Sequence, residues 1–138
     1  MKLLLPFGVL FAMYIAIIIL DYIWLGILTK KFIIDQFGSL ISVKDGSIQT
    51  NIPVGLLAWL AIAAGAYIFA VAPADSAGRA AFMGAVFGFI AYAIYDLTNL
   101  TFITNYPTKF VLVDIAWGTF LCSAIAFIGF FTRSLFLK

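Results

Sequence analysis

A chain of 138 residues that is 65% hydrophobic and only 10% charged lies far outside the soluble range, in which roughly a quarter of residues are charged. It reads as one all-α integral membrane domain, residues 1–138, whose first partner is the lipid bilayer. The net charge of +2 is dispersed, without the Lys/Arg stripe that nucleic acid would require; the absence of His and the single Cys exclude Ser-His-Asp and Cys-His nucleophiles, a haem His ligand and the familiar structural zinc sites.

In chain order, apolar runs predict a bundle of four transmembrane helices at about 3–28, 52–72, 77–103 and 110–131, each long enough for a bilayer core of about 30 Å. The first run exceeds the roughly 7–15 residues of a signal-peptide core, and no small-x-small cleavage site precedes Asp21. It is therefore expected to stay attached. Helical spacing places Tyr14, Asp21, Trp24 and Leu28 on one stripe of it. In the 29–51 connection, Phe32, Ile33, Ile34, Phe37, Leu40 and Ile41 alternate with Lys30, Lys31, Asp35, Gln36 and Ser39. That pattern predicts an amphipathic interfacial segment, either a lid over a polar site or a spacer on the membrane surface. Lys44-Asp45-Gly46-Ser47 supplies a turn.

The second run has no charge and reads as scaffold, with Ala61 and Gly65 as small packing residues. The third carries Ala80, Gly84 and Gly88 four apart, a spacing that lets helices approach closely. Packing within the bundle is favoured over a homodimer seam. Further along, Tyr92, Asp96 and Asn99 share a stripe. The run Tyr95 to Thr101 is polar enough that it either lines a wet cavity or unwinds. In the fourth, Phe110, Asp114, Trp117 and Leu121 share a face, and Cys122 reads as a small core residue.

An ionisable group inside a span costs several kcal/mol, faces the bundle interior and marks a function. At 1.5 Å per residue, Asp21 lies about 27 Å along the first helix, Asp96 about 26 Å beyond Arg79, and Asp114 about 8 Å after Lys109. All three reach one level, in the third of the membrane farthest from the termini. Asp21 and Asp96 sit toward helix C-terminal ends, where the partial charge is already negative. They need a proton, a bound cation, or the ammonium of Lys30, Lys31 or Lys109. The predicted site is Asp21, Asp96 and Asp114 with Asn99 and Tyr92, walled by Trp24 and Trp117, which also suit an interfacial belt. Oxygen-only ligands favour a hard divalent cation, Mg²⁺, Ca²⁺ or Mn²⁺, as a cofactor on the three aspartates.

Flanking Lys and Arg tie at four per side, with Lys2, Arg79, Arg133 and Lys138 against Lys30, Lys31, Lys44 and Lys109. The short 73–78 link bearing Arg79 favours cytoplasmic termini. Asp21-x-x-Trp24-Leu25-Gly26, Tyr95-Asp96-Leu97-Thr98-Asn99, Pro107 and Val113-Asp114-x-Ala116-Trp117-Gly118 together resemble the small bacterial membrane proteins of domain of unknown function 2177. One departure is Tyr106, at a position where Trp is expected more often. The resemblance implies a four-helix protein of the bacterial inner membrane and brings no activity with it. Three roles fit the residues. One is binding or transport of a proton, metal cation or cationic solute, which a dimer would help enclose. Another is an enzyme acting on a lipid or isoprenoid at the membrane surface. The third is a non-catalytic subunit docking a membrane partner.

Overall fold

The computed structural model describes residues 5–136. The predicted start of the first helix at Leu3, and the flanking charges Lys2 and Lys138, lie outside that range. Helix α1 (Leu5–Ile23) runs into a π-helical turn, Trp24–Leu28, and the short helix α2 (Lys30–Phe37) follows. A two-stranded hairpin, β1 (Val43–Lys44) and β2 (Ser47–Ile48), pairs Val43 with Ile48 and Lys44 with Ser47. Its turn residues Asp45 and Gly46 both have positive φ, 50° and 68°, the geometry that makes Asp-Gly a hairpin turn. Helix α3 (Ile52–Ala66) ends in a second π-helical turn, Tyr67–Val71, and α4 (Ala77–Phe102) and α5 (Thr108–Phe136) complete the chain.

Local chemistry sets these boundaries. Asn51 caps α3 by accepting from the Val54 amide at 3.4 Å, with Pro53 in the first turn; Ser76 caps α4 by accepting from Arg79 at 3.3 Å. Both satisfy amides that a helix start leaves without partners. Asn105 takes a left-handed φ of 63°, a conformation asparagine tolerates, and so turns the chain from α4 into α5. The fourth helix is longer than the apolar run predicts, because Thr108, Lys109 and the segment to Phe136 continue the helix beyond the apolar stretch.

Four helices are long and apolar enough to cross a membrane: Leu5–Leu28, Ile52–Val71, Ala77–Phe102 and Thr108–Phe136. α5 is the central element, touched by α1, α3 and α4. The core joins Val9, Met13 and Ile17 of α1, Ala63, Ala66, Ala70 and Val71 of the second span, and Leu121, Ile125 and Ala126 of α5. The outer surface carries large apolar side chains such as Phe7, Phe89, Phe120 and Phe131. Hydroxyls inside the spans bond back to their own helix, Thr119 to Ile115 O and Thr132 to Ile128 O. This is how polar groups are satisfied where lipid supplies no partner.

Ala80, Gly84 and Gly88 are buried in the α4–α5 seam. A Cβ at Gly84 would meet Cys122 O and Ala126; one at Gly88 would meet Gly118 O and Cys122; one at Gly118 would meet the Tyr92 ring. The small-residue stripe therefore packs within this chain, and Cys122 is a buried free thiol. On the second span the small-residue face differs from the expected one: Ala61 is exposed, Gly65 lies against Phe87, and Ala63, Ala66 and, in the π-helical turn, Ala70 are buried. At the end of the bundle opposite the acids, Arg133 donates to the carbonyls of Val71 (2.6 Å), Ala72 (3.0 Å) and Ala74 (2.6 Å) and lies over the Phe130 ring. It closes the C-terminal end of the second span.

Candidate functional site

The three aspartates are the buried acids of the chain: Asp21 is 3% exposed, Asp96 0% and Asp114 8%. Asp21 completes a buried stripe in which every fourth residue of α1, Val9, Met13 and Ile17, faces the core. Its Oδ2 accepts from the Trp59 indole at 2.6 Å and its Oδ1 from the Trp117 indole at 2.7 Å. Trp117 in turn stacks on Trp24, with ring centroids 4.3 Å apart and planes 4° from parallel. All three tryptophans of the chain thus converge on one carboxylate. Indole N–H is a donor only, so both Asp21 oxygens act as acceptors.

The stripe expected for the first helix differs at its end. Leu28 is 67% exposed and Thr29 is buried in its place. The π-helical turn Trp24–Leu28 accommodates one more residue than an α turn, shifting the face by one position. The Trp24 carbonyl that closes this turn accepts from both the amide (2.8 Å) and the hydroxyl (2.7 Å) of Thr29.

Asp96 and Asp114 form a second group. Their carboxyl groups are close enough to act on one another electrostatically. Asp96 Oδ1 accepts from the Tyr106 hydroxyl at 3.2 Å, and that hydroxyl accepts from Asn99 Nδ2 at 3.5 Å. Asp96 Oδ2 is buried with no hydrogen-bond donor among the described residues. Tyr106 lies in the loop between α4 and α5. Burial is the largest influence on its phenol and pushes it well above the ordinary tyrosine value, so it stays a donor. The expected stripe of Tyr92, Asp96 and Asn99 is present, but α4 does not unwind: it remains helical to Phe102. Tyr95, Leu97, Thr98 and Thr101 turn outward, and Thr101 bonds back to the Leu97 carbonyl at 2.8 Å.

The predicted residues are thus arranged as a pair plus a third. Asp96 and Asp114 meet, whereas Asp21 is held separately by its two indoles. Among the described residues no three His, Cys, Asp or Glu side chains are grouped to hold a metal ion. The lysines, one of the three compensating groups named for the acids, do not reach in: Lys30 bonds to Ser47 and Lys31 to Asp35, and Lys109 is exposed. Trp24 and Trp117 are walls of the Asp21 site. Three contributors escaped the sequence reading. Trp59 sits on the helix taken as scaffold, although it is the one indole of that span and lies within the bundle. Tyr106 was visible as the departure before Pro107. Phe37 was visible only as one apolar residue of the 29–51 segment.

A family model described as "Predicted membrane protein (DUF2177)" matches residues 7–131, a stretch that takes in the three buried aspartates and all three tryptophans. The chain belongs to the DUF2177 family. No curated protein and no solved structure matches it. For this DUF2177 protein, the chemistry therefore has to be argued from its own site: a carboxylate clamped by two indoles beside a buried carboxyl pair capped by a phenol.

Proposed function

We propose that this membrane protein binds a proton, or a small cation in its place, between Asp96 and Asp114, and that this binding serves transport. The observation that carries the reading is the orphaned Oδ2 of Asp96 beside the Asp114 carboxyl. Two ionised carboxylates repel at such range, and desolvation raises the cost further. One proton makes a donor of one partner and leaves the other as acceptor, and a cation bridging the oxygens does the same electrostatic work.

The donor set favours the smaller ligands. A hard divalent cation takes six or more oxygens, and both Asp21 oxygens are already committed to Trp59 and Trp117. This supports a proton or a monovalent cation over Mg²⁺, Ca²⁺ or Mn²⁺. The resemblance noted above supports a bacterial inner membrane, and the Arg79 link supports cytoplasmic termini. One observation favours a competing role as a non-catalytic subunit. Asp21 is fully satisfied within the chain, as an acid that only locks a fold would be.

Infrared difference spectroscopy of the protein in lipid nanodiscs separates the two. A protonated-carboxyl band present in the wild type, lost in both Asp96→Asn and Asp114→Asn, and displaced by Na⁺ or K⁺ is the expected result. A wild type lacking that band, with no cation-dependent change in the carboxylate region, would sink the binding role and leave the structural one.

A further inference from the structure

We infer that α2 is an aromatic plug, and that it must lift for the Asp96–Asp114 pair to exchange with the membrane surface. The inference takes its purpose from the binding role proposed above and names how access to that site is controlled. The pair is closed from below. The Tyr92 ring lies against Gly118, and the Gly88 backbone against Gly118 O, so tightly that neither glycine has room for a Cβ. The α4–α5 seam beneath the pair is therefore closed among the described residues. On the surface side, Tyr106 covers Asp96 and is itself only 8% exposed.

What covers Tyr106 is α2. The Phe37 ring meets the Tyr106 ring edge-on at 5.5 Å and 87°, and the Phe110 ring at 4.7 Å and 75°; Tyr106 and Phe110 are also edge-on at 6.4 Å. Phe37 and Phe110 thus pack edge-on against the ring whose hydroxyl bonds Asp96. α2 is otherwise lightly held. Ile33 is its one buried residue, and its charged residues Lys31 and Asp35 pair with each other on the exposed side. Both ends depart from helical geometry. Thr29 lies at φ −109°, ψ 0°, where the π-helical turn gives way to α2, and Gly38 at φ 51°, ψ −119°, a conformation available essentially to glycine alone. A short helix that ends on Gly38 can swing out about its Thr29 end by withdrawing Ile33 and breaking Phe37's two ring contacts.

The test uses the full chain in nanodiscs and a water-soluble, membrane-impermeant maleimide. Asp96→Cys, in a Cys122→Ala background, places a thiol under the plug, and Cys122 in the otherwise native chain reports loosening of the whole bundle. Adding Phe37→Ala should speed labelling of the Asp96→Cys thiol by about tenfold, the factor that two lost edge-to-face contacts imply. Labelling of Cys122 should not change, and Phe37→Tyr, which keeps the ring, should restore slow labelling. Equal rates with and without Phe37, or an acceleration of Cys122 to match, overturns the plug. This outcome is independent of the carboxyl band: loss of the band overturns the binding role, and flat labelling overturns the plug.

Discussion

Trp59→Phe is the substitution that most directly probes how the site is held. It keeps most of the ring and removes one donor, the indole N–H that meets Asp21 Oδ2 at 2.6 Å. The oxygen left behind belongs to a group only 3% exposed, so water does not replace the lost bond. Hydrogen bonds to charged groups contribute about 1.5–3 kcal/mol, whereas interhelical bonds in membrane proteins average about 0.6 and reach about 1.7 kcal/mol. Because the second oxygen keeps Trp117, the expected loss is about 1.5 kcal/mol, at the junction of the two ranges. The assay is reversible unfolding in mixed micelles titrated with sodium dodecyl sulfate, run as a double-mutant cycle with Asp21→Asn. The amide offers one acceptor oxygen where the carboxylate offers two, so the substitutions should couple by on the order of 1 kcal/mol. Coupling within the roughly 0.3–0.5 kcal/mol scatter of independent sites would refute the clamp. Trp117→Phe should cost more than Trp59→Phe, since it also shrinks the ring stacked on Trp24.

Asp96→Asn and Asp114→Asn should each abolish proton- or cation-dependent flux into proteoliposomes, and Arg79→Ala, at the far end in an exposed pair with Asp75, should leave it intact; equal losses from all three would remove the case for a localised site. Gly88→Ala and Gly118→Ala should each destabilise by about 1–3 kcal/mol in the same unfolding assay, because the added methyl meets backbone or the Tyr92 ring, while Gly78→Ala, with open space around it, should be neutral or slightly stabilising. Arg133→Met should cost about 2 kcal/mol by uncapping three carbonyls, without altering labelling beneath the plug. Gly38→Ala should cost about 1–3 kcal/mol in backbone strain and, unlike Gly78→Ala, should speed labelling of the Asp96→Cys thiol.

The membrane class and the four helices were legible because both rest on something the chain carries locally, the length of its apolar runs. The stripes of α4 and α5 were legible for the same reason, since 3.6-residue periodicity holds there without interruption. Where the period breaks, legibility stopped. The π-helical turn after Ile23 replaced Leu28 by Thr29 on the inner face, and nothing in Trp24-Leu25-Gly26-Ile27-Leu28 announces it. Partner choice was the other gap. That Asp21 would bond two indoles while Asp96 met Asp114 depends on how α1, α3 and α5 are rotated about one another, a tertiary property. Trp59 was passed over because a span without charge reads as scaffold, yet its indole is a large apolar side chain that carries a donor.

The two groups of acids are complementary in mechanical terms. Asp21 joins three helices: its own α1, α3 through Trp59 and α5 through Trp117. The stacked Trp24 ties the π-helical end of α1 to α5 a second time. Such a cross-brace, set at the same level as the Asp96–Asp114 pair, resists any splaying of these helices at the acid end. The α4–α5 seam beside the pair is equally unyielding, since Gly84, Gly88 and Gly118 leave no gap to close or widen. Interfaces packed this closely do not deform continuously. Motion that opens the pair is therefore assigned, as proposed above, to α2, whose one buried residue is Ile33. A buried acid whose bonds are all satisfied and a neighbouring pair with one oxygen left over thus have distinct roles in one site. On the binding role and the plug proposed above, Asp21 holds the frame rigid, and a change in the charge state of Asp96 and Asp114 is answered by movement of α2 and not by loosening of the bundle.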